Sequence, residues 1–249
     1  MADVERDVSA WHDQTETLVS VIADLLAGCK HVAVGAQSPV PGTAALLARR
    51  ESSGALRVSV LDSDRHSSFT NGACELFDCA AEGRVDAFFL SGGQIDGQAN
   101  INLVGAGTYP VVDVRWPGSF GSAFLYFLVP RVILFREEHS RRVFVDKVDF
   151  VSAPGTSAPG VYRPGGPHAL VTPLGLFHFD RERARFRLTS VHPRHSIDEI
   201  VARTGFDFDR DPHVATTPAP TERRRALMRE IVRDEVAGIY PRFAARFLG

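Results

Sequence analysis

An open α/β fold, a mostly parallel sheet flanked by helices, is the class this sequence predicts, and three observations predict it. Short apolar runs such as HVAVG (31–35) and VDAFFL (85–90) alternate with helical periodicity through the N-terminal half. Strands buried on both faces read this way, because parallel strands are joined by helices that cover the sheet. Glycine-bearing turns follow several of these runs directly. The length, 249 residues, suffices for one large core, and 44% apolar with 23% charged residues is an ordinary globular balance.

Taken in order, Leu18, Val21, Ile22, Leu25 and Leu26 repeat at helical spacing, and Gly28 stops that helix. After the strand at 31–35, Pro39, Pro41 and Gly42 read as a turn, with Thr43 capping a helix over 44–50. LRVSVL (56–61) is the next strand, and a helix over 73–82 leads to the strand at 85–90. Strands at 101–104 and 111–114, a helix at 122–128 and a strand at 131–135 continue the pattern.

Beyond this point the texture changes to a mixed-strand region. VFVDKVDFV (143–151) alternates apolar and charged residues, as a half-exposed strand does. A loop rich in Pro and Gly covers 153–167. Pro173 and Gly175 make the strand at 169–179 bent or peripheral, and 185–191 is a further strand. Ser196 with Glu199 forms a capping box for a helix ending at 203. The prolines of 207–220 suggest a linker, and 222–248 an amphipathic helix with Leu227, Ile231, Val232 and Val236 along one side. The expected division is an α/β domain over 1–206, then a linker and helical tail over 207–249.

Several functional classes are disfavoured. Lys and Arg total 28 against 30 Asp and Glu, a net charge of −2 without the basic excess of a nucleic-acid binder. The run Arg223–Arg225 reads as a solvated helix face or a subunit contact. Cys29, Cys74 and Cys79 form no CxxC pair and are odd in number, as expected of buried thiols in a reducing cytoplasm. The acidic N-terminus does not resemble a targeting peptide, and no apolar run approaches the ~20 residues that span a bilayer. A cytoplasmic protein away from membranes is expected. His192 and His195 lie in HPRH with no carboxylate or cysteine at ligand spacing, so no metal is expected.

Three strand–turn segments could carry chemistry. VAVGAQSPVPGTAALLAR (32–49) could set a helix N-terminus under a phosphate, but it has neither GxGxxG nor GxxxxGK. Ser91-Gly92-Gly93-Gln94-Ile95-Asp96 follows a buried strand, where open α/β sheets bind ligands, and its glycines admit close backbone approach. Tight turns alone would explain two glycines equally well; the polar continuation through Asn100 and Asn102 is less ordinary. Pro117-Gly118-Ser119-Phe120-Gly121-Ser122 can aim several N–H groups at a developing oxyanion.

The strings SGGQIDGQANIN, PGSFGSA, HSRRVFVDKVDFVSAPG and HPRHSIDEIVARTGFDFD, in that order, resemble the beta subunit of family I CoA-transferases. The glutaconate CoA-transferase type and the related steroid ring-cleaving CoA-thioester hydrolases are the most similar branches, and the likeness extends over about 32–208. It implies an alpha subunit partner in a heterodimer or heterotetramer, acyl-CoA held at their interface, and no cofactor beyond CoA entering as acyl-CoA substrate. Gly118, Ser119, Phe120 and Gly121 would correspond to the family's oxyanion and CoA-contacting loop, with Gly92, Gly93, Gln94 and Asn100 also at the substrate. The family usually has small residues at this turn; Phe120 would narrow the site or suit a bulky apolar acyl group.

In the family's transferases a glutamate at the end of an early strand attacks the thioester. The matching position here, after LRVSVL, is Asp62, with Asp64 two residues on. Aspartate is one methylene shorter, and a misplacement of about 1 Å can cost roughly a hundredfold in rate. Asp62 and Asp64 could equally be solvated loop residues. Loss of the glutamate leaves two further readings open: a ring-cleaving hydrolase of a cyclic or keto acyl-CoA using a carboxylate of the alpha chain, or a non-catalytic CoA-binding partner. His66 lies near Asp62, with Ser67, Ser68 and Thr70 as candidate caps, and His139 follows Glu137 and Glu138 as a possible acid–base group or an interior residue.

Overall fold

A computed structural model describes residues 2–61 and 63–249, the first seven by their backbone alone. Two compact units divide the chain: residues 1–76 with 218–249, and residues 77–217.

In the first unit, helix α1 (Ala2–Leu25) packs against α2 (Pro39–Glu51), and strands β1 (His31–Val34) and β2 (Arg57–Val60) pair in parallel. Every residue of β1 is buried, as its continuous apolar pattern requires. Helix α2 buries the nine consecutive residues from Val40 to Ala48. It begins earlier than expected, because Pro39 and Pro41 occupy the first turn, where a missing N–H costs no hydrogen bond. Thr43 is therefore inside the helix instead of capping it, and its hydroxyl donates to the carbonyl of Pro39 at 2.8 Å.

Helix α3 (Gly72–Ala81) runs across the boundary. The second unit continues with β3 (Ala87–Leu90), the small pairs β4 (Gln94–Ile95) with β5 (Ile101–Asn102) and β6 (Gly105–Ala106) with β7 (Val114–Arg115), and α4 (Ser122–Leu128). There follow β8 (Arg131–Phe135), β9 (Pro167–Val171), β10 (Gly175–Asp180), β11 (Arg185–Val191), α5 (Ile197–Arg203) and β12 (Asp209–Thr216). Its long strands lie in the order β12-β11-β10-β9-β8-β3. The pairs β3–β8, β8–β9 and β11–β12 are parallel; β9–β10 and β10–β11 are antiparallel. The fold is thus the expected one, a mostly parallel α/β sheet with a mixed C-terminal region. The chain then returns to the first unit as α6 (Glu222–Asp234), a 3₁₀ turn (Val236–Gly238) and α7 (Pro241–Leu248).

Four local readings are corrected. Residues 143–151 form turns, with only an isolated bridge from Phe144 to Ile95, because their alternation reflects buried Val143, Phe144 and Val148 between exposed charges. Residues 169–179 reverse direction: Pro173 and Gly175 close a hairpin between β9 and β10 instead of bending one strand. Within the presumed linker, β12 pairs with β11, and Asp209 takes Arg183 and Arg185 as ion partners. The C-terminal helix is two, interrupted before Pro241, with Met228 instead of Leu227 in its buried stripe. The capping box forms in part: Ser196 Oγ accepts from Glu199 N at 3.1 Å, while the Glu199 carboxylate pairs with His195 and Arg203.

Candidate active site

The turn after β3 leads through Gly92 and Gly93 into the β4–β5 hairpin. A Cβ on Gly93 would overlap the Trp116 ring, and one on Gly92 would lie 2.7 Å from the Gln94 carbonyl oxygen. Both positions therefore need glycine for close packing. The polar residues that follow are bonded to one another. Buried Gln94 donates through Nε2 to Asp149 Oδ2 (2.9 Å), and its Oε1 accepts from Asn102 Nδ2 (2.8 Å) and the Asp149 amide (2.9 Å). Asp96 Oδ1 accepts from the amides of Gln98 and Asn100, both at 3.0 Å. Asn100 donates from Nδ2 to Asp96 Oδ2 and accepts at Oδ1 from the Gly155 amide. In a buried network each member satisfies groups that would otherwise be costly to desolvate. The side chains of Gln94 and Asn100, expected at the substrate, thus brace the loop that SGGQIDGQANIN and VDKVDF build together.

The second turn, after β7, is backbone-driven. Gly118 has φ +109° and Gly121 φ +67°, the left-handed region open to glycine. Between them Phe120 is held at φ +29°, unusual for a residue with a side chain, and the residue is 79% exposed. Ser122 N donates to Ser119 O at 2.8 Å, closing the turn. Among the described residues no group accepts from the amides of Ser119, Phe120 or Gly121. Such a turn can receive an anionic or carbonyl oxygen.

In the other unit, Asp62 lies outside the described residues, and its flanks form a tight turn. Ser67 N donates to Ser63 O at 2.9 Å, His66 N to Ser63 Oγ at 3.0 Å, and Val60 N to His66 O at 3.0 Å. The buried His66 ring accepts at Nδ1 from Arg49 Nη1 (3.3 Å), which leaves its proton on Nε2. Nε2 lies 3.3 Å from Glu235 Oε2, close enough for charge attraction but without hydrogen-bond alignment. Glu235 also holds Arg50, with Nη2 at 3.0 Å, and Arg65 Nη1 donates to the Asp234 carbonyl at 3.0 Å. Burial pulls the His66 pKa below 6.5, Glu235 opposes that, and Arg49 and Arg65 add to it. Sequence alone points to His66 but not to Glu235, which comes from the far end of the chain without local signal. Of the candidate caps, Thr70 gives its N–H and hydroxyl to Glu75 Oε2, and Ser68 shares a hydrogen bond with Ser59.

The remaining candidates have structural roles. His139 is 5% exposed, between Thr172 and Thr204, and burial brings its pKa down to about 4. It is an interior residue; its neighbour Glu138 pairs with Arg142. His192 bonds Thr217 Oγ1 at 2.8 Å. Among the described residues no group of three His, Cys, Asp or Glu could hold a metal, and no helix is long and apolar enough to cross a membrane. Of the three cysteines only Cys79 is buried; Cys29 is partly covered and Cys74 exposed, which corrects the expectation that all are interior. In the run 223–225, Arg224 pairs with Asp24 and Glu51, and Arg225 with Glu16 and Glu222, so these charges fasten α6 within its unit.

The mostly parallel sheet, the glycine turns beyond its strands and the amides that no described group claims define an open α/β fold with backbone donors at a strand-end turn. The chain belongs to the Coenzyme A transferase family, whose model matches residues 16–203. It is 33% identical over 146 residues to one subunit of the 3-oxoadipate CoA-transferase of Pseudomonas knackmussii, covering 56% of each chain. It is 33% identical over 128 residues to one subunit of the glutaconate CoA-transferase of Acidaminococcus fermentans, covering 49% of this chain and 47% of that one. Over 168 residues it is 30% identical to the IpdB component of the cholesterol ring-cleaving hydrolase of Rhodococcus jostii, covering 64% and 63%. The matches thus span about half to three-fifths of these relatives' lengths. Among solved structures, the decarboxylase AibA/AibB superposes with a TM-score of 0.76 at 26% identity, covering 91% of this chain and 98% of that one.

Proposed function

We propose that this chain is the beta subunit of a heteromeric CoA-transferase-like enzyme that moves CoA between carboxylic acids, with acyl-CoA bound at the interface with an alpha subunit. The observation that carries the reading is the turn from Gly118 to Gly121, with three amides unclaimed among the described residues, in a chain of the Coenzyme A transferase family. These amides would donate to the thioester or carboxyl oxygen as negative charge develops on it. Gly92 and Gly93 would bring backbone close to the substrate, with Gln94 and Asn100 keeping that loop in shape. No cofactor is needed beyond CoA itself.

Asp62 is the candidate nucleophile. Its carboxylate would attack the thioester carbonyl, giving an acyl–aspartyl anhydride and releasing CoA thiolate. The thiolate would then attack the aspartyl carbonyl, forming an aspartyl-CoA thioester and freeing the first acid. An acceptor carboxylate would reverse the two steps and leave as the new acyl-CoA. Each step replaces one difficult exchange with an easier one.

Hydroxylamine or borohydride should inactivate the purified complex only after exposure to acyl-CoA, and Asp62→Ala should lose transfer. Full transferase activity in Asp62→Ala would remove Asp62 from the mechanism. Turnover with water as the sole acceptor would favour the second reading, hydrolytic cleavage of a cyclic or keto acyl-CoA with a carboxylate from the alpha chain. The bulky Phe120, and similarity to a component of a ring-cleaving hydrolase, favour keeping that reading. A complex that binds CoA thioesters and catalyses neither reaction would indicate a non-catalytic binding partner.

A further inference from the structure

We propose that Phe77, Phe120 and Phe124 form the acyl-recognition face of this chain, and that the acyl group it takes is bulky, apolar and ring-bearing. The inference rests on the CoA-thioester reading above and names the substrate class for the same turn. The Phe77 ring lies 6.1 Å from that of Phe120 and 5.6 Å from that of Phe124, centroid to centroid, in tilted and edge-on arrangements. Phe120 is 79% and Phe124 45% exposed. Gly121 makes the cluster possible: a Cβ there would overlap Phe77 Cζ, so the backbone passes directly against that ring.

Two features separate this face from an ordinary exposed apolar residue. Phe120 is held at φ +29°, a conformation that a phenylalanine does not adopt without cost, and the strained turn presents its ring outward. The same turn holds the unclaimed amides of Ser119, Phe120 and Gly121, and the adjacent Ser122 hydroxyl is buried without a partner among the described residues. Hydrogen-bond donors and aromatic rings side by side suit a ligand with a carbonyl oxygen attached to an apolar body. An acyl thioester is such a ligand. Rings at these spacings pack well on a further ring, whereas an acetyl group would leave them wet.

The test titrates phenylacetyl-CoA, cyclohexanecarbonyl-CoA, acetyl-CoA and free CoA into the full chain co-purified with its alpha-type subunit. The ring-bearing thioesters should bind at least about tenfold tighter than acetyl-CoA. Phe120→Gly, which suits the positive φ and should fold at least as well, should bring that preference within about threefold. An equal preference in both proteins, or none in either, overturns the inference while the CoA reading stands. If Phe120→Gly separates the subunits, the face is a subunit contact and the inference falls. If the assembled complex binds no CoA thioester, the CoA reading falls as well.

Discussion

His139→Leu isolates the share of one buried histidine in the acid sensitivity of the second unit. The His139 ring packs 4.6 Å from Phe144, with Nδ1 2.8 Å from Thr172 Oγ1 and Nε2 3.0 Å from Thr204 Oγ1. Thr204 Oγ1 donates to the Ile200 carbonyl at 2.7 Å, so it must accept from Nε2–H, and the neutral ring fits its site. Burial is the main reason its pKa is about 4 instead of 6.5, with Arg203 contributing. The sign follows from that depression. Above pH 6.5 neither the folded nor the unfolded chain protonates this ring, and the stabilisation is fully present. As pH falls from 6.5 toward 4, the unfolded chain binds the proton first and stability is lost. The gap is worth ~3 kcal/mol in full, and about 2 kcal/mol is lost by pH 5. Urea unfolding at pH 7.5 and 5.0 measures it. His168 and His192, also at about 4, titrate in both proteins and cancel in the comparison. The loss between the two pH values should be about 2 kcal/mol smaller in His139→Leu. Equal losses would refute the assignment of His139 as a buried, neutral residue.

Two further outcomes follow from the polar networks. Glu235→Gln removes the charge that faces His66 and Arg50, and should destabilise the chain by ~1–3 kcal/mol, with faster hydrogen exchange at the Val60 and Ser67 amides. Unchanged exchange at those two amides would show that Glu235 does not hold the turn flanking Asp62. Asp96→Ala strands the amides of Gln98 and Asn100 and should cost about 2–4 kcal/mol by urea unfolding; a loss under about 0.5 kcal/mol would mean that water replaces the carboxylate freely.

The candidate site was legible to different depths. The turns at 91–96 and 117–122 stand out in the sequence because glycine has few substitutes where φ is positive or another ring crosses the backbone. What occupies the space against each glycine could not be read: Trp116 over Gly93 and Phe77 against Gly121 come from other segments. The specific residues of SGGQIDGQANIN were visible as a pattern, but their partner Asp149 lies more than fifty residues on, so their internal bonding was not. His139 beside two glutamates resembles an acid–base group in one dimension, and only burial between threonines and phenylalanines makes it a neutral core residue.

The α/β class, most strand and helix positions in the N-terminal half, and membership of the Coenzyme A transferase family can be read along the chain. These depend on local periodicity, turn chemistry and motif order, all written along the chain. That 143–151 is not a strand, that 169–179 is a hairpin, and that β12 lies within the expected linker depends on the folded chain. An alternating pattern records which side chains are buried but not what buries them. Strand pairing depends on hydrogen-bond partners distant in sequence. The turn from Gly118 to Gly121 joins the two: its glycines were plain in the sequence, while the exposed ring of Phe120 and the unclaimed amides beside it appeared only once the chain was folded.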